Sequence, residues 1–362
     1  MTRHLLVMAG GTGGHIFPGL AIAEAMRARG WRVSWLGTTT GMEQTLVPRV
    51  DIPLYAVAFE GVVGRGIRPK LALPVRLLRA VTRAGKVLAE LRPDVVIGMG
   101  GYPTVPGGLA ASRKGIPLAI HQSDAIAGLA NKLLARFADR VLVGFETVFE
   151  AYGSKRVVTG NPIRSEFSSF ADPQTRLAGH SGALHLLAMG GSRGAEAINR
   201  LLPDALALVP AENRPVVLHQ AGRGLVEPTR ETYGRMGVSA QVVEFIDDSA
   251  TALAECDLFI GRSGASTVSE LAALGVASVL IPYPHHKDQQ QLHNARVLAG
   301  AGAALISEQA TLTAEVLAKT IASMTRQRCV EMATAARTVA RPTAASDICN
   351  VLESLAVTRS AV

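Results

Sequence analysis

The sequence predicts an α/β chain of two domains, each built on a parallel β-sheet covered by helices, and three observations carry that prediction. Short apolar runs alternate with helical patterns along the whole chain, the signature of strands joined by helical crossovers. Glycine-rich turns follow such runs at residues 10–14, 98–101, 190–194 and 261–264, so the two halves echo one another. At 362 residues, 48% of them hydrophobic, the chain is long enough for two cores rather than one.

Taken in order, residues 5–9 form the first strand, 19–29 a helix and 32–36 the second strand, and residues 95–99, 105–113 and 117–121 repeat that unit. Gly160-Asn161-Pro162-Ile163-Arg164 closes the first half, and residues 165–182 have the polar, proline-containing composition of a linker. Strands at 184–189, 216–220, 242–245, 258–260 and 278–281 build the second half. Pro342 then breaks the chain before a last helix over 344–355. These features give an N-terminal domain, 1–163, and a C-terminal domain, 164–341, with the final segment, 342–362, packing back on the first.

The net charge of +8 implies an anionic partner: nucleic acid, an anionic membrane face or a phosphorylated ligand. Aromatics at 4% argue against stacking on single-stranded nucleic acid. Cys256, Cys329 and Cys349 are odd in number and without metal spacing, which fits a reducing cytoplasm better than a disulfide framework. The apolar run after His4 is too short for a signal peptide and ends in glycines, and no continuous apolar stretch is long enough to span a bilayer, so membrane contact would be peripheral.

The chemistry centres on residues 261–270, where a glycine turn follows an apolar run and opens a helical pattern. Such a turn aims several backbone N–H groups at one point, which suits a phosphate. Glu270, further along, has two oxygens that match the paired hydroxyls of a ribose; the alternative is that Ser263 and Ser266 cap the helix while Glu270 complements its dipole. The polar loop 282–291 lies at another strand's carboxyl end, where open α/β sheets bind ligands. The turn at residues 10–14 is not a dinucleotide fingerprint, because Ile16 stands where a third glycine belongs and the second strand ends without an acid. His15, at the mouth of that turn, has the chemistry of a general base near neutral pH.

Residues 65–92 hold Arg65, Arg68, Lys70, Arg76, Arg79, Arg83, Lys86 and Arg92 against a single acid, Glu90. Arg76, Arg79, Arg83 and Lys86 share a helical face, with Leu77, Val81, Ala84 and Leu88 roughly opposite. Together with Ile67, Leu71, Leu73 and Pro74 they suit an anionic bilayer surface; the plainer alternative is a solvated face over a core stripe. Asp247 and Asp248, like His285, His286 and Asp288, lack a third acid at useful spacing, so no metal or other cofactor is assigned.

With these stretches assembled, the sequence closely resembles the MurG family of peptidoglycan glycosyltransferases over nearly its whole length. The marks are GGTGGHIFP from Gly10, GMGGYPTVPGG from Gly98, AGLANK from Ala127, GNPIR from Gly160, GGSRGA from Gly190, FIDD from Phe245, then RSGASTVSE and HKDQQQ. The resemblance implies a glycosyltransferase type B fold, two Rossmann-like halves whose parallel sheets face a cleft. It further implies transfer of N-acetylglucosamine from UDP-GlcNAc to the lipid-linked muramoyl acceptor, lipid I, giving lipid II, on the cytoplasmic face of the bacterial inner membrane, with cell-wall synthesis proteins as candidate partners.

Residue by residue, it implies that Ser192 and the turn of Ala265, Ser266, Thr267, Val268, Ser269 and Glu270 hold the diphosphate and ribose. Ile246 would take the uracil through its backbone, Gln290 and Gln291 the sugar hydroxyls, and Arg164 the nucleotide from the junction of the halves. Thr12, Gly13 and Gly14 would line the donor sugar and acceptor diphosphate. One departure stands out: the family usually reads His-Glu-Gln-Asn where this chain has His121-Gln122-Ser123-Asp124. An amide replaces the acid, and the aspartate occupies the place of an asparagine that normally touches the donor sugar. The implied reaction is a single inverting displacement by the muramoyl 4-hydroxyl, with His15, or alternatively Asp124, as base. A UDP-GlcNAc epimerase or a basic nucleic-acid-binding protein is the rival reading; the first leaves the basic segment unexplained, the second the glycine turns.

Overall fold

The computed structural model describes residues 2–11, 13–59, 72–191, 194–286 and 288–360. It divides into two compact units, residues 1–163 with 342–362, and residues 164–341. The first unit carries seven strands: β1 His4–Ala9, β2 Arg32–Gly37, β3 Leu54–Ala56, β4 Val95–Gly100, β5 Leu118–Gln122, β6 Arg140–Val143 and β7 Arg156–Val158. They lie side by side in the order β3-β2-β1-β4-β5-β6-β7, all parallel, with Leu5 of β1 opposite both Val33 and Val95. Every residue of β1 is buried, as expected for a strand covered on both faces.

The second unit repeats the plan with β8 His185–Met189, β9 Val216–Gln220, β10 Gln241–Val243, β11 Leu258–Gly261, β12 Ala277–Leu280 and β13 Ala304–Ile306, parallel in the order β10-β9-β8-β11-β12-β13. In both sheets the chain runs outward to one edge, returns past its first strand and runs out to the other. The strand on each side of that switch point ends beside a glycine turn, the place where such sheets hold ligands.

Several elements depart from the sequence reading. The helix expected over 19–29 spans Gly13–Ala28, starting directly at the glycine turn and carrying Pro18 inside. Residues 165–182 are not a loose linker: Phe167 is fully buried, and Asp172 accepts from Thr175 N at 2.9 Å to cap a short helix, Pro173–Leu177. The sequence reading passed over β3, β6, β7 and β13, strands of only three or four residues. The last helix, Ala344–Ser360, buries Ile348, Cys349, Leu352 and Ala356 against the first unit's core, and Arg29 meets Glu353 at 2.9 Å.

The helix Leu73–Leu91 buries Ala80, Ala84 and Leu88 and leaves Arg79, Arg83 and Lys86 exposed, with Arg76 half-buried. Of the apolar residues expected beside these cations, Pro74 is exposed and Leu73 half-buried, and Val75 and Leu78, 54% and 63% exposed, stand with them. Arg65, Arg68, Lys70, Ile67 and Leu71 lie outside the described residues. No helix among the described residues is long and apolar enough to cross a membrane.

Candidate active site

In the first unit the carboxyl ends of β1, β4 and β5 come together. Gly13 and Gly14 open the helix after β1, so its first-turn N–H groups face outward beyond the sheet; Thr12 lies outside the described residues. At the end of β4, Gly100 and Gly101 have φ of 111° and 85°, a region that only glycine enters cheaply. A Cβ on Gly101 would sit 2.1 Å from Gly10 O, and one on Gly100 would sit 2.5 Å from His15 Nδ1. Glycine is therefore required at both positions for the first two turns to close on each other and on the imidazole.

His15 is half-buried, and its Nδ1 is buried without a well-aligned hydrogen bond. Burial holds the imidazole below its ordinary range, while the charge of Asp124 and the Met99 backbone pull the other way. A neutral ring is what a general base requires. The two residues that the sequence offered as alternative bases thus act on each other.

The turn that carries Asp124 is held by Gln122. Its amide Nε2 donates to Asp124 O at 3.3 Å and Ile126 O at 2.9 Å, while its Oε1 accepts from Gly128 N at 3.2 Å and Asn131 Nδ2 at 2.9 Å. Another buried acid escaped the sequence reading: Glu43, fully buried, accepts from Gly11 N at 3.0 Å, Thr38 N at 2.7 Å and Thr38 Oγ1 at 2.6 Å. It takes one N–H of the first turn out of any ligand's reach. A glutamate at the start of a single helical turn gives no pattern by which to find it.

In the second unit the helix Ala265–Leu274 follows β11 with Gly264 as its N-cap and no side-chain cap, so neither Ser263 nor Ser266 caps it. Ser263 is buried, donating from Oγ to Gln291 O at 2.7 Å, and Ser269 Oγ turns back to Ala265 O at 2.9 Å. The N–H groups of Ala265, Ser266 and Thr267 belong to the uncapped first turn, and Val268 N returns to Gly264 O. Ser192 lies outside the described residues. Glu270, on the same helix, is pushed up to about 7, first by burial and also by Glu166, with Arg164 opposing. Arg164 pairs with Glu166 at 2.7 Å, donates to Ser249 Oγ at 3.0 Å and stacks on Phe167. Glu270 and Arg164 are thus together.

Two residues implied as ligand contacts are partly committed elsewhere. Gln291 Oε1 accepts from Ser263 N at 3.3 Å and Tyr283 N at 2.9 Å, which ties the 282–291 loop to the turn after β11. Gln290, the first residue of the helix Gln290–Gly300, is half-buried. Ile246 N donates to Gln220 Oε1 at 3.1 Å, leaving its carbonyl as the backbone group for a base. Asp248 accepts from Thr251 N at 3.0 Å and caps the helix Ser249–Glu255. His285 and His286 pack edge-on against Tyr283. Among the described residues, His180, His185 and Asp257 are the group compact enough for a metal, but Asp257 is taken by Arg326, His180 and His185 N.

The family models agree with this division: the glycosyltransferase family 28 N-terminal domain matches residues 5–143 and the C-terminal domain of that family matches 185–348. The chain belongs to glycosyltransferase family 28. A protein of Cupriavidus metallidurans, UDP-N-acetylglucosamine--N-acetylmuramyl-(pentapeptide) pyrophosphoryl-undecaprenol N-acetylglucosamine transferase, is 50% identical over 98% of both chains. One of the same name from Nitrosospira multiformis is 48% identical over 95% of this chain and 96% of its own. The crystal structure of Acinetobacter baumannii MurG superposes with a TM-score of 0.85 at 38% identity, covering 97% of this chain and 99% of that one. The calicheamicin glycosyltransferase CalG4, at 17% identity and a TM-score of 0.68, shares the fold. The chain is therefore a glycosyltransferase with two Rossmann-like halves.

Proposed function

We propose that this family 28 enzyme transfers N-acetylglucosamine from UDP-GlcNAc to the 4-hydroxyl of the muramoyl sugar of lipid I, forming lipid II. The observation that carries the reading is 50% identity, along 98% of both chains, to a relative named for this transfer. The residues of each unit fit their halves of the task. Glu270 accepts from the ribose diol, the uncapped first turn at Ala265, Ser266 and Thr267 takes the diphosphate, and Arg164 adds positive charge as UDP leaves. Thr12, Ser192, Gln290 and the Ile246 carbonyl complete the donor contacts, and Gly13 and Gly14 offer N–H groups to the acceptor diphosphate.

His15 removes the proton of the 4-hydroxyl. The oxygen forms its bond to C1 as the bond from C1 to the diphosphate oxygen breaks, and the electron pair departs on UDP with inversion at C1. The basic face at Arg76, Arg79, Arg83 and Lys86 holds the protein to an anionic membrane, where the acceptor resides. Support comes from Val75 and Leu78 standing exposed among these cations, the composition of an interfacial helix.

The test is incubation with UDP-GlcNAc labelled in the sugar and membranes or vesicles carrying lipid I. Label is expected in the butanol-extractable lipid. Label that stays in water-soluble nucleotide sugar, with or without a change of epimer, would overturn the assignment.

A further inference from the structure

We propose that Glu43 is a positioning residue for the acceptor side of the reaction: its buried carboxylate tethers the glycine turn 10–14 from within the domain, so that the turn presents His15 and its outer N–H groups in one arrangement. The inference deepens the proposed function and rests on its placement of the acceptor at this turn. Glu43 opens the single helical turn Glu43–Leu46, in the connection between β2 and β3. Its two oxygens hold different elements: Oε2 accepts from Gly11 N at 3.0 Å, and Oε1 accepts from Thr38 N at 2.7 Å and Thr38 Oγ1 at 2.6 Å. All three partners are donors, which a buried carboxylate needs in place of the water it has lost. Gly11 is exposed while Gly10 is buried, so a surface turn is tied to an anchor in the interior.

The tether leads to the reacting side by contact at each step. A Cβ on Gly10 would sit 2.6 Å from Glu43 Oε1 and 3.0 Å from Pro103 Cγ, so Gly10 is packed against the acid and against the residues after β4 together. Gly101 in turn packs on Gly10 O, and Gly100 packs on the imidazole of His15. By the other route, the chain runs from Gly11 into the first turn of the helix Gly13–Ala28, which carries His15. Glu43 is thus joined to His15 both along the chain and through the second glycine turn, and each route begins at its carboxylate. The loop behind the acid is shaped to hold it. A Cβ on Gly41 would collide with Oε2, Gly41 N donates to Thr38 Oγ1 at 3.1 Å, and Gln44 Nε2 donates to Thr38 O. The N–H groups of the first turn are thereby sorted. Gly11 N is engaged by Glu43, whereas Gly13 and Gly14 belong to a helix start, which leaves N–H groups for a ligand. A diphosphate therefore meets the helix end of the turn and not the Glu43 end, where it would face a second negative group.

The experiment compares wild type, E43Q and T38V. An amide at position 43 keeps one oxygen for the two Thr38 donors and sets its nitrogen, a donor, against Gly11 N, so E43Q cuts the Gly11 arm. T38V removes one donor from the same carboxylate and leaves the Gly11 arm in place, so it controls for lost stability. The readouts are hydrogen exchange at the Gly11 amide, KM and kcat for transfer to lipid I, UDP affinity and urea unfolding. In wild type the Gly11 amide should be protected although its residue is exposed, and E43Q should speed its exchange by roughly tenfold or more, the scale of a hydrogen bond to a charged group. E43Q should also raise KM for lipid I by roughly tenfold and lower kcat, because a displaced turn holds the acceptor and the base poorly. UDP affinity in E43Q, and KM in a less stable T38V, should both stay within about twofold of wild type. A purely structural Glu43 would reduce the active fraction, and with it kcat, and leave KM unmoved; that result would overturn the proposal. So would a T38V whose KM rises as far as that of E43Q. A Gly11 amide that exchanges freely in folded wild type would overturn the tether whether or not E43Q folds. A wild type that transfers nothing to lipid I refutes the assigned function instead, and Gly11 exchange then decides the tether by itself.

Discussion

The dipeptide His-Gln ends a strand in each unit, His121-Gln122 on β5 and His219-Gln220 on β9, and the two copies do different work. The histidines behave alike. Each is buried; each donates from Nε2 to an oxygen that can only accept, Gly160 O at 3.0 Å or Asn199 Oδ1 at 3.1 Å; each then accepts at Nδ1 from a hydroxyl, Ser123 at 3.4 Å or Tyr233 at 3.0 Å. The glutamines differ. Gln122 spends its amide inside one turn, the turn that carries Asp124. Gln220 instead bridges two loops, donating to Gly191 O at 3.3 Å and accepting from Ile246 N at 3.1 Å, and thereby fixes backbone groups. Under the proposed function the first unit supplies a side chain that moves a proton, and the second supplies backbone groups and one acid that hold a nucleotide.

The sharpest way to break that contrast is to remove one residue from each side. H15A should lower kcat by roughly 10²–10⁴-fold, the usual worth of a general base, with UDP binding intact. E270A should weaken UDP binding by roughly 1–3 kcal/mol, the scale of unpaired hydrogen-bonding groups, in a folded protein. Because burial pushes Glu270 up to about 7 and the proposed ribose contact calls for the ionised form, wild-type affinity should rise with pH through about 7, and E270A should lose that dependence. Calorimetry in which H15A binds UDP as poorly as E270A would erase the division of labour.

How much of this was legible beforehand follows the same contrast. Short apolar runs marked most strands of both sheets, and the glycine turns marked the carboxyl ends of those at the switch points, because burial and positive φ each restrict residue choice strongly. The backbone site at residues 264–270 was therefore visible in sequence. The candidate residues of the first unit were visible only in part: His15 stood out, but the turn that carries Asp124 is set by Gln122 through Gly128 and Asn131, partners that no pattern marks. Glu43 and Gln220 were missed for one reason, that a buried polar residue is defined by partners distant in sequence, Gly11 and Thr38 for one, Gly191 and Ile246 for the other. Residues 165–182 misled by composition, since one buried phenylalanine, Phe167, anchors a stretch that reads as polar.

Acid should test whether the paired histidines are as alike as their hydrogen bonds. Burial holds His121 and His219 down to about 4 each, against about 6.5 in the unfolded chain. Below 6.5 the unfolded chain takes up protons that the folded one refuses, so each histidine lowers stability by up to about 1.4 kcal/mol per pH step, roughly 3 kcal/mol over the window from 6.5 down to 4. Urea unfolding followed from about pH 7 to about pH 4.5 should show both units weakening together. H219Q should flatten the response of the second unit and leave that of the first. A stability that stays level through this window would mean that the two rings are protonated in the fold.

The smallest expected effect concerns the surface, where the two units differ in what surrounds their cations. On the helix Leu73–Leu91, Arg79, Arg83 and Lys86 are exposed next to Val75 and Leu78, so an approaching bilayer meets charge and apolar surface at once. In the second unit Arg200, Arg223 and Arg235 are equally exposed, and Arg223 lies 4.0 Å from Glu244. Near an anionic membrane each cation contributes about 1 kcal/mol, a contribution that salt screens. Reversing Arg79, Arg83 and Lys86 together should therefore release the protein from vesicles containing anionic lipid, and raising salt should weaken wild-type binding in the same direction. Reversing Arg200, Arg223 and Arg235 removes the same formal charge from the whole chain, so a binding mode set by net charge alone would respond equally to both triple variants. Sedimentation with vesicles should instead show loss for the first triple and retention for the second, and equal loss would assign the attraction to overall charge rather than to this helix.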